Sequence, residues 1–251
     1  MESFDNIYVV IPAFNEGAVL QKTISELKRK FKNVIVVDDG SDDKTREIME
    51  NSGVIPIHHP INMGQGASIN SGVNFVKNIK SVEAVITFDA DGQHASEDAI
   101  AFAKEIKNCN EEVILGSRFL KHEKNIPFMK RFALKFVIKI TNIILGMKLT
   151  DTHNGLKAIK IDAIKKIDIK IDNYAFESEM LTQISKLNMS YKELPTDIIY
   201  TNYSKKKGQS LRNGLRAVSY THLRAHETGR NGVCRVVLEK KKGGGGGGGG
   251  G

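Results

Sequence analysis

The first 118 residues alternate between short apolar runs and helical patterns, and this rhythm constrains the fold more than any other feature. Ile7-Tyr8-Val9-Val10-Ile11, Val34-Ile35-Val36-Val37, Val54-Ile55-Pro56-Ile57-His58, Ala84-Val85-Ile86-Thr87-Phe88 and Val113-Ile114-Leu115 are short and rich in β-branched residues, as buried strands prefer. Between them, Val19, Leu20, Ile24 and Leu27 form a helical stripe behind Asn15-Glu16-Gly17. Thr45, Ile48 and Met49 follow a cap that Ser41 or Asp42 can supply. Two more helices are expected, one from the loop at Asn62–Ser68 to about Ile79 and one from about Ser96 to Lys107. The alternation predicts an α/β fold with a doubly wound, mostly parallel sheet. Pro56 sends the third strand to an edge. Right-handed crossovers gather the strand ends on one rim, where open α/β sheets place their ligands.

That rim carries acids. The run at Phe88 breaks into Asp89-Ala90-Asp91-Gly92-Gln93-His94, and Gly92 permits a sharp turn. Two hard carboxylates suit Mg2+ or Mn2+, and a cation held by so few protein oxygens shares its shell with substrate phosphates. The alternative is a turn followed by an N-cap. Asp39 and Arg118 are expected at neighbouring strand ends, so the acids do not read as independent turn residues. Asp38 reads as structural, because successive strand residues face opposite ways. Asn62-Met63-Gly64-Gln65-Gly66 is a glycine-bearing loop, but Ile69 occupies the place of the third glycine of a dinucleotide fingerprint.

After Arg118 the rhythm changes. Pro127–Gly146 is one long helical pattern with Arg131, Lys135 and Lys139 along one face. It reads either as a basic amphipathic helix for a membrane surface or a lipid-like substrate, or as a core helix with a solvated lysine row. Asp151–Gly155 is a polar turn, Leu156–Ile161 a strand and Phe176–Leu187 a helix. Tyr191–Leu194 and Asp197–Tyr200 read as extended, and 201–216 as a basic loop.

The chain has 251 residues and a formal charge of +8. From Ser219 onward six basic and two acidic residues account for half of that excess. The remainder is too modest to announce a nucleic-acid partner. Cys109 and Cys234 alone argue against a disulfide framework or a thiolate metal site. No apolar run is long enough to span a bilayer, and the N-terminus lacks signal-peptide features, so a cytoplasmic location is expected. Residues 243–251 are nine glycines, and 219–242 look like translated sequencing-adapter read-through. Residues 1–216 are therefore read as the catalytic domain and 217–251 as a non-native or disordered tail. A native basic tail ending in a flexible linker is the alternative. On the first reading, a membrane anchor could have followed Arg216.

Val10-Ile11-Pro12-Ala13-Phe14-Asn15-Glu16, Val37-Asp38-Asp39-Gly40-Ser41, Asn62–Gly66 and Phe88–Gln93 occur in this order and resemble the family 2 glycosyltransferases of the GT-A fold. Gly116-Ser117-Arg118, Asp151-Thr152 with Gly155 and Lys157, and Phe176-Glu177-Ser178-Glu179 are similar to later motifs of the dolichyl-phosphate mannose synthase branch and its bacterial polyprenyl-phosphate relatives. The match covers residues 6 to about 216, an α/β core with an appended amphipathic helix and a C-terminal acceptor-side region.

The resemblance implies inverting transfer of a sugar from a UDP- or GDP-linked donor to a polyprenyl phosphate or a growing cell-surface glycan. It implies a nucleobase pocket at Pro12, Ala13 and Glu16, with Asp39 accepting from base or ribose. Gly64, Gln65, Asp89 and Ala90 would adjoin the donor, and many members carry Lys or Arg where Gln65 stands. Asp89, Asp91 and Gln93 would hold Mg2+ or Mn2+ at the leaving diphosphate. Arg118 and Arg131 would steady a donor or acceptor phosphate. Asp151, Glu177 or Glu179 would be the base for a hydroxyl acceptor, whereas a polyprenyl phosphate is already ionised and needs none. Thr201–Ser210 would form a flap over the diphosphate, and association at the inner membrane face is expected.

Three other readings compete. A nucleotidyltransferase would want a Gly-rich loop with Arg and Lys after the first strand, where Pro12–Glu16 stands. A response-regulator receiver needs paired acids after strand one. A catalytically inactive nucleotide-sugar-binding or membrane-scaffolding domain sits poorly with intact Asp89, Asp91 and Gln93.

Overall fold

The computed structural model describes residues 3–120, 128–152, 154–173 and 175–197, with the side chains of 128–133 left out. The elements in chain order are β1 (Ile7–Ala13), α1 (Leu20–Leu27), β2 (Asn33–Asp38), α2 (Thr45–Asn51), β3 (Ile55–His58), α3 (Gln65–Lys77) and β4 (Ala84–Thr87). They continue with α4 (Ser96–Asn108), β5 (Val113–Ser117), α5 (Phe128–Leu145), β6 (Lys157–Lys160), α6 (Ile161–Ile164), α7 (Phe176–Lys186) and β7 (Tyr191–Pro195).

The strands form one seven-stranded sheet in the order β3-β2-β1-β4-β6-β5-β7. β1 pairs in parallel with β2 and β4, β2 with β3, and β5 with β7. Pro56 does lie on an edge strand. Val9, Val36, Ile86 and Ile114 are fully buried and pack with Leu20, Ile24 and Phe102 in one core. Burial on both faces of a parallel sheet is what makes these strands continuous apolar runs.

β6 runs antiparallel to both its neighbours, β4 and β5. Its start therefore lies beside the end of β4, with Lys157 opposite Thr87. The reversal brings the polar turn before β6 onto the rim that the parallel strand ends occupy. Strand alternation alone did not anticipate this.

Two local expectations are corrected. Neither Ser41 nor Asp42 caps α2, which starts at Thr45 without a side-chain cap at Lys44. Instead Asp43 Oδ1 accepts the Thr45 amide at 2.8 Å, and the Ser41 hydroxyl accepts from the Asn15 amide at 2.9 Å. The first helix begins at Leu20, later than Asn15–Gly17. Asn15 takes a left-handed backbone (φ 54°), and the Glu16 carbonyl receives the Val19 and Leu20 amides. The stretch from 198 onward, with the expected flap and tail, lies outside the described residues, as does the Arg131 side chain.

Candidate active site

The chain leaves β4 through buried Phe88, whose amide donates to the Val10 carbonyl at 3.0 Å. Asp89 follows at the rim. Its Oδ1 accepts from Gln65 Nε2 at 3.0 Å, and its Oδ2 lies 3.4 Å from His94 Nε2. A Cβ on Gly155 would stand 2.0 Å from that Oδ2, so only glycine leaves room for the carboxylate. Burial opposes the charge on Asp89. The His94 contact, the Lys157 ammonium and the Gln65 amide outweigh burial and hold the carboxyl below its usual range.

Asp91 behaves oppositely. Burial and the Asp89 charge push it up to about 6, with Glu16 adding repulsion. The Gln93 amide (3.0 Å) and side-chain Nε2 (2.7 Å) both donate to Asp91. For Gln93 to offer an oxygen to a cation, its amide must turn over. Gly92 makes the expected turn (φ 71°). His94 is buried beside Phe88, with Nδ1 lacking a hydrogen-bond partner among the described residues.

This donor set fits a divalent cation that substrate helps to hold. Burial first, and the Asp89 charge second, oppose the charge on Asp91, and a cation held by the two carboxylates would offset both. Among the described residues, no three His, Cys, Asp or Glu side chains converge to hold an ion by themselves. The remaining ligands would have to come from substrate oxygens or water, as hard cations at phosphates commonly arrange.

Asp38 and Asp39 point apart. Asp38 is sealed against the Ser41 amide, Arg46 and His58. Burial opposes its charge, but these partners together hold its carboxyl below the usual range. Asp39 Oδ1 takes His59 Nδ1 at 2.7 Å and the Met63 amide at 2.9 Å, and Oδ2 takes the Gly64 amide at 2.7 Å. An ionised carboxylate offers about four lone-pair positions, so Asp39 has room for about one more donor. Pro12 and Ala13 end β1 beside it, with the Ala13 carbonyl accepting the Asp39 amide at 2.8 Å. Glu16 and Ala90 are both buried.

The glycine loop packs against the chain itself. A Cβ on Gly64 would meet the Asp172 carbonyl at 2.3 Å, and one on Gly66 the Ile171 carbonyl at 2.0 Å. The Gly66 and Ala67 amides donate to Asp172 O at 2.8 and 3.3 Å. The close approach that these glycines permit is thus to the chain's own 171–172 backbone. The residue of this loop that faces the rim acids is Gln65.

Arg118 and Asp151, expected in separate roles, pair with each other. Arg118 Nε donates to Oδ2 at 2.7 Å and a terminal nitrogen to Oδ1 at 2.9 Å, a bidentate fork, while its backbone amide adds a third bond at 3.1 Å. Glu193 on β7 fixes the turn from below by accepting the Thr150 and Asp151 amides. Lys157 is buried, donates to the Asn154 carbonyl at 2.6 Å and forms an ion pair with Glu177. Burial pushes the Glu177 carboxyl up, Lys157 opposes this, and the Asp89 and Asp151 charges reinforce it. Glu179 is two residues further along α7, so it faces the other way. Its Oε2 accepts the Lys170 and Ile171 amides at 3.0 and 2.9 Å. Sequence reasoning missed His59 and Glu193. The only signal was the pairing of Asp38-Asp39 with His58-His59, which needs the β2–β3 register to be read.

A mostly parallel sheet, a rim acid pair after its fourth strand and a reversed strand delivering a second polar turn define a glycosyltransferase of the GT-A class. The fold is similar to that of glucosyl-3-phosphoglycerate synthase from Mycobacterium tuberculosis, solved with Mn2+ and UDP-glucose. The TM-score is 0.65 at 16% identity, over 86% of this chain and 76% of that one. The chain belongs to glycosyl transferase family 2, which its residues 8–168 match. It is 40% identical over 220 residues to an uncharacterised Methanocaldococcus jannaschii protein (84% of this chain, 89% of that one). It is 32% identical over 232 residues to the UDP-N-acetylglucosamine–dolichyl-phosphate N-acetylglucosaminyltransferase of Methanococcus voltae (84% and 92%).

Proposed function

We propose that this glycosyltransferase moves a sugar, with inversion, from a nucleoside-diphosphate donor to a polyprenyl phosphate, assisted by Mg2+ or Mn2+. The observation that carries the acceptor choice is the state of the three carboxylates considered as bases. Asp151 is forked by Arg118, Glu177 is paired with Lys157, and Glu179 holds two backbone amides. Each is tied to a partner in its own chain, and an acceptor phosphate needs no base. Its oxygen attacks the anomeric carbon as the nucleoside diphosphate departs, and no proton must be removed. The dolichyl-phosphate acceptor named for the Methanococcus voltae relative supports the same reading.

On this reading Pro12, Ala13, Glu16 and Asp39 flank the nucleoside, while Gln65 orients Asp89. Asp89 and Asp91, with Gln93 beside them, would hold the cation, which when bound supplies positive charge to the leaving diphosphate. Arg118 and Arg131 would serve the phosphates. No described helix is long and apolar enough to cross a membrane. Phe136, Ile143 and Ile144 of α5 are nonetheless exposed beside Lys135 and Lys139, which supports docking at a lipid surface. The deciding experiment compares a polyprenyl phosphate with the corresponding free polyprenol, using Mn2+ and a panel of UDP- and GDP-sugars. Transfer to the phosphate alone is expected, and equal transfer to the alcohol would restore the need for a base and sink the assignment.

A further inference from the structure

The partners of Asp39 extend well beyond any nucleotide. β2 and β3 pair in parallel with Asp38 opposite His58, so Asp39 and His59 also stand side by side. His59 is only 6% exposed. Its Nδ1 lies 2.7 Å from Asp39 Oδ1 and its Nε2 2.9 Å from Ser71 Oγ in α3. Asp39 also accepts the Met63 and Gly64 amides, so its oxygens serve as acceptors in this network. The network therefore puts a proton on His59 Nδ1, and in the neutral ring the Ser71 hydroxyl donates to Nε2. Beyond Gly64 the chain enters α3, where the Gln65 amide reaches Asp89 Oδ1 at 3.0 Å. Ser71, His59, Asp39, the 63–64 backbone, Gln65 and Asp89 thus form one connected line across the rim.

We propose that His59 is a positioning residue for the donor site. By holding Asp39 it sets the Met63–Gly64 backbone, and through it the Gln65 contact that aims Asp89. The inference rests on the reading of Asp39 and Asp89 as donor-binding groups. His59 touches neither Asp89 nor Asp91 in this arrangement; it acts through the loop. Its side chain is replaceable in two informative ways. The amide nitrogen of asparagine stands where Nδ1 does and can donate to Asp39. That of glutamine stands where Nε2 does and reaches only toward Ser71.

The test measures binding of UDP and of GDP with Mn2+ by calorimetry in wild type, His59→Ala, His59→Asn and His59→Gln. Hydrogen exchange of a peptide covering 60–66 is followed in the same proteins. Loss of one buried hydrogen bond to a charged group predicts about tenfold weaker nucleotide binding in His59→Ala, with faster exchange at Met63 and Gly64. His59→Asn should recover most of both losses and His59→Gln little of either. A role confined to stability would lower the melting temperature in all three variants without separating Asn from Gln. Unchanged affinity and protection in His59→Ala, or equal behaviour of the Asn and Gln variants, overturns the inference while leaving the donor site standing. Wild-type protein that binds neither nucleotide overturns the donor-site reading and this inference with it.

Discussion

The Asp89 carboxylate occupies the space that a side chain on Gly155 would need, with a Cβ there falling 2.0 Å from Oδ2. The two residues come from antiparallel neighbours, Asp89 just after β4 and Gly155 just before β6. Gly155→Ala should therefore push Asp89 off its Gln65 and His94 contacts. Misplacing a catalytic group by about 1 Å can cost about 10²-fold in rate. Sugar transfer should fall by about that factor, with a smaller loss of stability, about 1–3 kcal/mol for local overpacking. Steady-state transfer rates alongside urea unfolding check it, and a fully active Gly155→Ala would show that Asp89 need not hold its present position.

The β1–β5 rhythm was legible in the sequence because parallel strands buried on both faces are uninterrupted apolar runs. Asp89, Asp91 and Arg118 were legible for the same reason, since polar residues that end such runs must stand on a rim. The Arg118–Asp151 fork was not legible. It depends on β6 entering antiparallel between β4 and β5, and no local pattern in Leu156–Ile161 states a direction. What Gly64 and Gly66 approach was not legible for a related reason. A glycine marks a close approach, but only the fold says that Ile171 and Asp172 make it.

Lys157 and Glu177 form a buried ion pair linking β6 to α7. Removing one member strands the other charge, at a cost of about 3–5 kcal/mol, whereas replacing both with apolar groups is often neutral. Lys157→Met should lower the free energy of unfolding by about that amount. Lys157→Met/Glu177→Leu should recover most of it. Denaturant midpoints of Lys157→Met, Glu177→Leu and the double variant measure the coupling, and strict additivity would show that the pair does not act as a unit.

Glu177→Gln separates the two acceptor chemistries. If a polyprenyl phosphate is the acceptor, Glu177 orients the site through Lys157 and removes no proton. The variant keeps the shape and a hydrogen-bond acceptor, so its activity should stay within about tenfold of wild type. Loss of a general base costs about 10²–10⁴-fold. A loss in that range, with Km unchanged, would assign the base to Glu177.

Asp91 links the site to pH. Its carboxyl titrates at about 6 in the fold against an ordinary 3.8. The folded chain therefore binds this proton more tightly than the unfolded chain does. The stabilising contribution is complete below about pH 4 and is lost as pH rises through about 6. Above that pH the paired charges of Asp89 and Asp91 repel, and a divalent cation should compensate. Mn2+ should thus raise the melting temperature more at pH 7.5 than at pH 5, because at low pH it must displace a proton. Equal shifts at both values would remove Asp91 from the cation site.

The exposed face of α5 makes a separate prediction about lipid. Phe136 is 60% and Ile143 73% exposed, two helical turns apart, with Lys139 between them. Their spacing puts both on one side of the helix, a side that leaves apolar area in water and surrounds it with ammonium groups. Anionic headgroups offer about 1 kcal/mol for each lysine near the surface, and burying an aromatic or Ile side chain adds about 1.5–3 kcal/mol. Phe136→Asp and Ile143→Asp should each lower flotation with anionic liposomes by about tenfold or more, since a tenfold change corresponds to about 1.4 kcal/mol. Lys135→Glu and Lys139→Glu should weaken flotation only where the vesicles are anionic and the salt is low. Transfer to a water-soluble, short-chain acceptor phosphate should survive all four changes, because none touches the rim. Flotation that is indifferent to Phe136 and Ile143 would instead leave this face to be covered by another part of the chain or a protein partner.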